Sequence, residues 1–208
     1  MTQSPSRHTD TGSHTWTYAH EQWVKCVRCG QAGTVKHRRF ACRHCALVLQ
    51  NADNRPYHWF GDCRIRADGR CYHCGTKYSI DEHHPKPAFV GRLRGFDITK
   101  TITCQSCHRK NVVTLLFYKK SKHHLDDEFG MPLLLALPFK GHVFWAYNDK
   151  HLAELKTFIG ADLRERTHMA GNGSMISRLP LWIKSAKNRD ELLKLIEKLE
   201  KISPHQLH

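Results

Sequence analysis

The sequence predicts a small α+β protein: two cysteine-stapled, strand-rich modules followed by a module of one β-hairpin and helices. Three observations carry that prediction. Eight of the nine cysteines fall in four Cys-x-x-Cys pairs, all within the first 107 residues. The segments around those pairs are short, basic and β-branched, and they lack a helical period. After residue 120 there are no cysteines, and apolar runs give way to stripes of period 3.6. The expected divisions are a disordered lead over 1–20, a first module over 21–50, a second over 51–120 and the C-terminal module over 121–208.

The lead, "MTQSPSRHTDTGSHT", is polar and has no apolar segment of the kind a secretory signal needs. Its composition reads as disordered. Apolar residues make up 40% of the chain and mean hydropathy is −0.58, with no run long enough to span a bilayer. The expectation is a cytoplasmic protein without a membrane partner. In a reducing compartment paired cysteines serve metal rather than disulfides.

The first quartet is Cys26, Cys29, Cys42 and Cys45, in "CVRCG" and "CRHC". Four thiolates in two knuckles can surround one Zn²⁺ tetrahedrally. Gly30 follows Cys29, where the chain must turn sharply so that backbone N–H groups reach sulfur. About thirty residues hold too little core to fold without metal. "TVKHRRFAC" between the pairs reads as strand. This pattern resembles a zinc ribbon, a fold that serves DNA, RNA or protein binding. Lys36, Arg38, Arg39 and Arg43 are its candidate phosphate contacts.

The second quartet is Cys71, Cys74, Cys104 and Cys107, in "CYHCG" and "CQSCH", and predicts a second structural Zn²⁺. Its longer excursion contains "HHPKP" and a basic stretch with Arg92 and Arg94, two further candidate nucleic-acid contacts. The order "CYHCG", "HHPKP", "CQSCHRK" resembles the zinc-stapled branch of the HNH endonucleases. That resemblance covers Cys71 to Lys110. It implies His84 as the general base, and His83 and His108 as ligands of a catalytic Mg²⁺ or Mn²⁺ at the scissile phosphate. The cysteines would then only staple the fold. The sequence departs from that family twice. "DITKTITC" offers no Asn to orient the base, and "RKNVVTLLFYKK" after Cys107 reads as a strand where the family has a helix. The alternative is a second ribbon with an inserted loop.

Other residues have structural readings. Cys63 reads as a small buried side chain. "YHWF", Tyr57 to Phe60, reads as packing around a zinc module, with base stacking as the alternative. "KKSKHHLDDEF" reads as a solvated linker, although His123, His124, Asp126 and Asp127 have metal-ligand chemistry.

The C-terminal module is conventional. Leu133–Leu137 and His142–Tyr147, joined by "PFKG", predict a buried hairpin. Asn148 or Asp149 caps a helix whose apolar face is Leu152, Leu155, Ile159 and Leu163. After the break "AGNGS", a last helix carries Leu192, Leu195, Ile196 and Leu199, with capping-box spacing at Asn188 and Glu191 and a stop at Pro204. Its apolar face reads as core, with partner docking as the alternative. Its lysines (Lys184, Lys187, Lys194, Lys198, Lys201) read as solvated.

The net charge of +14 is unevenly spread. Residues 20–110 hold 17 Lys and Arg against 7 Asp and Glu, and residues 111–208 hold 15 against 11. A basic, metal-stapled half points to a polyanion. The functional expectation is therefore a zinc-binding nucleic-acid-binding protein, DNA or RNA, serving as a subunit or accessory factor of a larger nucleic-acid-processing complex. A protein partner would dock on the C-terminal module. Two readings stand beside it: an HNH-like metal-dependent endonuclease, and a zinc-stapled protein-interaction scaffold. The sequence favours binding over catalysis.

Overall fold

The structure is a computed structural model that describes residues 5–51, 58–84, 98–119, 124–166 and 173–202. It is an α+β protein. Two four-stranded antiparallel sheets carry the cysteine pairs, and a hairpin with helices forms the C-terminal body. No helix among the described residues is long and apolar enough to cross a membrane.

The first sheet orders β2 (Glu21–Lys25), β3 (Ala32–Lys36), β4 (Arg39–Ala41) and β5 (Val48–Gln50) in sequence. Only His37 and Arg38 link β3 to β4, and both have positive φ, at 49° and 59°. Two consecutive left-handed residues make the tight hairpin turn that matches strand twist. Here it is built from a basic pair instead of Asn-Gly.

β2 is buried on both faces, since neighbouring residues on a strand face opposite sides. Val24 packs in the core of the first cysteine module with Val35 and Phe40. Trp23 packs in the core of the C-terminal body. The backbone follows suit: Trp23 N–H donates to Tyr147 O, Lys25 N–H to Pro132 O and Leu134 N–H to Trp23 O, each at 2.8 Å. Phe129, Met131, Leu133 and Tyr147 complete the core of the first module. The first module and the body thus share structure.

The second sheet has the order β7 (Lys77–His84), β6 (Cys63–Arg70), β9 (Lys110–Lys119), β8 (Ile98–Thr103). β9 alternates strictly from Lys110 to Leu116, with Asn111, Val113 and Leu115 turned inward. That alternation is the period-2 signature that makes the segment a strand. Its core is small: Ile65, Ala67, Val113 and Leu115.

In the body, β10 (Leu135–Phe139) and β11 (His142–Ala146) form the expected hairpin, turning at Lys140 and Gly141 with φ of 46° and 80°. Helix α1 (Asp149–Gly160) is capped by Asn148, whose side chain accepts the His151 N–H. α4 (Arg189–Glu200) buries Leu192, Ile196 and Leu199 in the core that holds α1 and the hairpin. Two short helices, α2 (Met175–Arg178) and α3 (Leu181–Lys184), lie between.

Several expectations are corrected. The lead is ordered from residue 5 onward: β1 (Arg7–Asp10) pairs in parallel with β12 (Leu163–Arg166). Its polar residues have specific partners. His8 Nε2 meets Glu154 Oε1 at 2.9 Å, and buried Asp10 accepts the Ser174 hydroxyl at 2.6 Å. The α1 stripe stops before Leu163, because the backbone turns extended at Ala161 and Leu163 enters β12. Asn188 does not cap α4. A 3₁₀ turn over Ala186–Asn188 already places it in helical geometry, and Glu191 pairs with Lys140 Nζ instead. Lys184 is not solvated but donates to Ser177 O at 2.6 Å. Asp126 is no linker residue: it is buried and accepts the N–H groups of Glu128, Phe129 and Met131 at 2.9, 2.7 and 2.6 Å.

Trp59 is buried, with Lys119 Nζ 4.7 Å above its ring, so this part of "YHWF" is packing. Cys63 is fully buried. Tyr57, His123 and Pro204 lie outside the described residues.

Candidate metal centres

Each Cys₄ cluster is built from the turns of two hairpins. In the first, the β2–β3 turn holds Cys26 and Cys29, and the β4–β5 turn holds Cys42 and Cys45. The first turn closes by Cys26 N–H to Gln31 O and Gly30 N–H to Cys26 O, both at 2.8 Å, and Arg28 N–H points at Cys26 Sγ at 3.4 Å. The second cluster repeats this plan. Gly75 N–H donates to Cys71 O at 2.9 Å, His108 N–H to Cys104 O at 3.0 Å, and His73 N–H to Cys71 Sγ at 3.4 Å. The residue after the second cysteine is left-handed in all four knuckles: Gly30 (74°), Ala46 (55°), Gly75 (72°) and His108 (56°). A non-glycine residue there carries a steric cost of roughly 1 kcal/mol.

All four Sγ atoms of each cluster lie within 4.8 Å of one another. The pairs Cys26–Cys45, Cys29–Cys42, Cys71–Cys107 and Cys74–Cys104 are each 3.6 Å apart. A tetrahedron with Zn–S of about 2.3 Å has edges of about 3.8 Å, so the donor sets suit zinc.

The thiols conflict without a cation. Burial and the three neighbouring thiols, only partly offset by the Gln31 N–H, push Cys29 up to about 12. At Cys107 the Arg109 N–H lowers the pKa, but burial and its own thiol neighbours prevail and leave it at about 12. Burial opposes ionisation of Cys45 and Cys71 too. Even so, the Leu47 N–H and adjacent thiols bring Cys45 to about 7, and the N–H groups of His73 and Cys74 with the Asn111 amide bring Cys71 to about 6. Cys45 in the first site and Cys71 in the second ionise readily, and the Thr76 hydroxyl and N–H lower Cys74 as well, while Cys29 and Cys107 resist. A dication removes that conflict for all four.

Asn111 is the supporting residue that sequence reasoning missed. It is buried on β9. Its amide donates to Cys71 Sγ at 3.4 Å and to Arg109 O at 3.2 Å, while its carbonyl accepts the Tyr72 N–H at 3.0 Å. It ties both knuckles of the second site together. The only sequence signal was a lone polar residue at an inward position of an alternating strand.

The HNH-like residues are not brought together. β7 leaves the knuckle at Lys77, and His83 lies six residues along it. At about 3.3 Å per residue that places His83 roughly 20 Å from the knuckle end, where His108 sits. His108 belongs to a knuckle turn followed by strand β9, not to a helix. The His84 backbone pairs with Cys63 at the far end of the sheet. Among the described residues, the two Cys₄ sets are the groups with metal-ligand geometry.

Lys36, Arg38, Arg39 and Arg43 are exposed on the first module, with Lys36 Nζ 3.2 Å from Glu21 Oε2. Arg92 and Arg94 lie outside the described residues.

The outer face of the second sheet was also missed. Val112, Leu116 and Tyr118 on β9 are 58%, 53% and 49% exposed. Arg66 and Arg64 on β6 stand directly opposite Leu116 and Tyr118. Asp81 holds both arginines, paired with Arg64 and 3.6 Å from Arg66. The signal was present in "CRIRADGR", where arginine alternates with core residues.

No known protein family, curated protein or solved structure matches this chain.

Proposed function

We propose that this protein holds two structural Zn²⁺ ions and binds single-stranded nucleic acid across the outer face of its second sheet. The observation that supports this reading most directly is that face itself. Exposed apolar and aromatic side chains run down β9, and a row of arginines runs beside them on β6. Bases stack on aromatic rings while cations track phosphates, and that combination suits strands whose bases are unpaired. Lys77, Lys110 and the basic turn of the first ribbon add to the same field. Membership of a larger nucleic-acid-processing complex, with a protein partner on the C-terminal body, belongs to the same proposal.

The test is a titration against labelled single- and double-stranded DNA and RNA over a salt series. Wild type should prefer single strands, with affinity falling steeply as salt rises. Arg64→Ala with Arg66→Ala should flatten the slope of log affinity against log salt by about 1.4, from about 0.7 per phosphate contact on a single strand. Tyr118→Ala should weaken binding by about 1–3 kcal/mol. Parallel reactions in Mg²⁺ or Mn²⁺ should leave the nucleic acid intact with wild type and His84→Ala alike. Cleavage lost in His84→Ala would replace this reading with the nuclease. No salt-sensitive shift would leave the interaction scaffold.

A further inference from the structure

The C-terminal body contains a cleft of about 720 Å³ between the β10–β11 hairpin, α1 and the short helices α2 and α3. Small-molecule sites span roughly 300–1,000 Å³. Neither zinc site nor the outer face of the second sheet contributes to it. Its walls are aromatic. His142 stacks on Trp182 with centroids 4.9 Å apart and planes 1° from parallel, and Trp145 meets Tyr147 edge-on at 5.1 Å. Leu155, Met175 and Ile183 supply aliphatic lining. Among the described lining residues there is no Asp or Glu, and the one side chain with a permanent charge is Arg178, exposed at the end of α2.

One lining residue is polar and almost wholly buried. His151 is 2% exposed. Its Nδ1 accepts the Tyr147 N–H at 3.2 Å, which places the ring proton on Nε2. Tyr18 stacks on the imidazole at 5.0 Å. Burial holds the ring neutral, with its pKa lowered to about 4. Nε2 has no hydrogen-bond partner among the described residues. Nε2 is not one of the sealed, unsatisfied atoms of the interior, so it meets the open space of the cleft, where an incoming acceptor can reach it.

These features specify a ligand chemistry. An aromatic lining favours a flat ring. A lone N–H donor selects a ring or carbonyl acceptor. A lining without carboxylates and with one guanidinium selects an attached anion. We infer that this cleft is a separate binding site for a small heteroaromatic anion of the nucleoside monophosphate class. The base lies against Trp145 and Trp182 and accepts from His151 Nε2–H, and its phosphate is directed to Arg178. The site stands independently of strand binding by the second sheet.

The experiment titrates AMP, GMP, CMP and UMP into the full-length, zinc-loaded protein, followed by calorimetry and tryptophan quenching. At least one nucleotide should bind saturably. Trp182→Ala should weaken it at least about fivefold, the lower end of the stacking range. Arg178→Gln, at an exposed position that leaves the core intact, should weaken it similarly. Arg64→Ala with Arg66→Ala should leave mononucleotide binding unchanged while weakening strand binding, which separates the two sites. Three results would each overturn the inference: no saturable binding of any of the four up to about 10 mM, equal binding by wild type and both cleft variants, or loss of mononucleotide binding in the Arg64/Arg66 variant.

Discussion

The two Cys₄ modules share their knuckle chemistry and differ in wiring. In the first, His37 and Arg38 alone join the hairpins, so β3 and β4 must be neighbours at the centre of the sheet. In the second, the corresponding join spans residues 85–97. There β7 and β8 lie at opposite edges, and β6 and β9 take the centre. Cysteine spacing sets the metal site, while the length of the join decides which strands lie inside. The modules differ also in what supports them. The first shares a core with the C-terminal body through Phe129, Met131, Leu133 and Tyr147. The second has a separate core cluster of only four buried apolar side chains, and one of its cysteines, Cys74, is exposed. Under the two-zinc proposal, metal is one contributor among several in the first module and the dominant one in the second.

Ligand removal is the strongest way to break that comparison. Cys71→Ser should unfold the second module alone, a loss on the order of 10 kcal/mol of metal-coupled folding energy. Bound zinc should fall by one ion by native mass spectrometry, with the melting of the body unchanged. Cys26→Ser should instead lower the melting temperature of the body and first module together. Uncoupled melting in Cys26→Ser would show that the shared core does not link them.

Acid probes the shared body directly. The folded-state pKa of His151 is lowered from 6.5 to about 4 by burial. Its contribution is therefore complete above its unfolded pKa and is lost as pH falls towards 4, a change of roughly 2–3 kcal/mol. Asp126 works the other way. Burial raises it to about 6 despite its three N–H donors, so its contribution fades as pH rises through 6. The informative quantity is the difference between proteins. The melting temperature of His151→Gln should fall less between pH 7 and 5 than that of wild type.

Asn111→Ala sharpens the comparison at the metal. Loss of its amide from Cys71 Sγ should reduce zinc affinity of the second site by about 10- to 100-fold, read by chelator competition, and leave the first site unchanged. The glycines beneath aromatic rings offer a matched pair of comparable size. A Cβ on Gly33 would strike the Phe40 ring, with Cζ at 2.8 Å, and one on Gly69 would strike Tyr78. Phe40 is fully buried and Tyr78 is not. Gly33→Ala should cost about 1–3 kcal/mol in thermal melts. Gly69→Ala should cost less, because Tyr78 has room to move. The smallest effect belongs to His108→Gly, which should stabilise the second module by up to about 1 kcal/mol by relieving its left-handed backbone.

The parts legible in the sequence are those set by local pattern. The two Cys₄ clusters follow from their spacing, the β10–β11 hairpin from its apolar runs, the α1 cap from Asn148, and β9 from its alternation. What stayed hidden depends on contacts distant along the chain. β1 looks disordered because its stabilising partners, Glu154, Ser174 and β12, lie about 150 residues away. The sharing of β2 between two cores is invisible in "EQWVK". Asn111 looks misplaced against an HNH pattern, yet its amide N–H donates to Cys71 Sγ in the second module. The face made by Arg64, Arg66, Leu116 and Tyr118 exists only once β6 and β9 pair.

The parallel pair of β1 and β12 has a consequence in time. Arg7 must wait for Leu163, 156 residues later, to leave the ribosome before it has a partner. At about 5–20 residues per second that wait is roughly 8 to 30 seconds. A strand made early is thus placed only after a distant partner has emerged, and until then β1 has an unpaired edge.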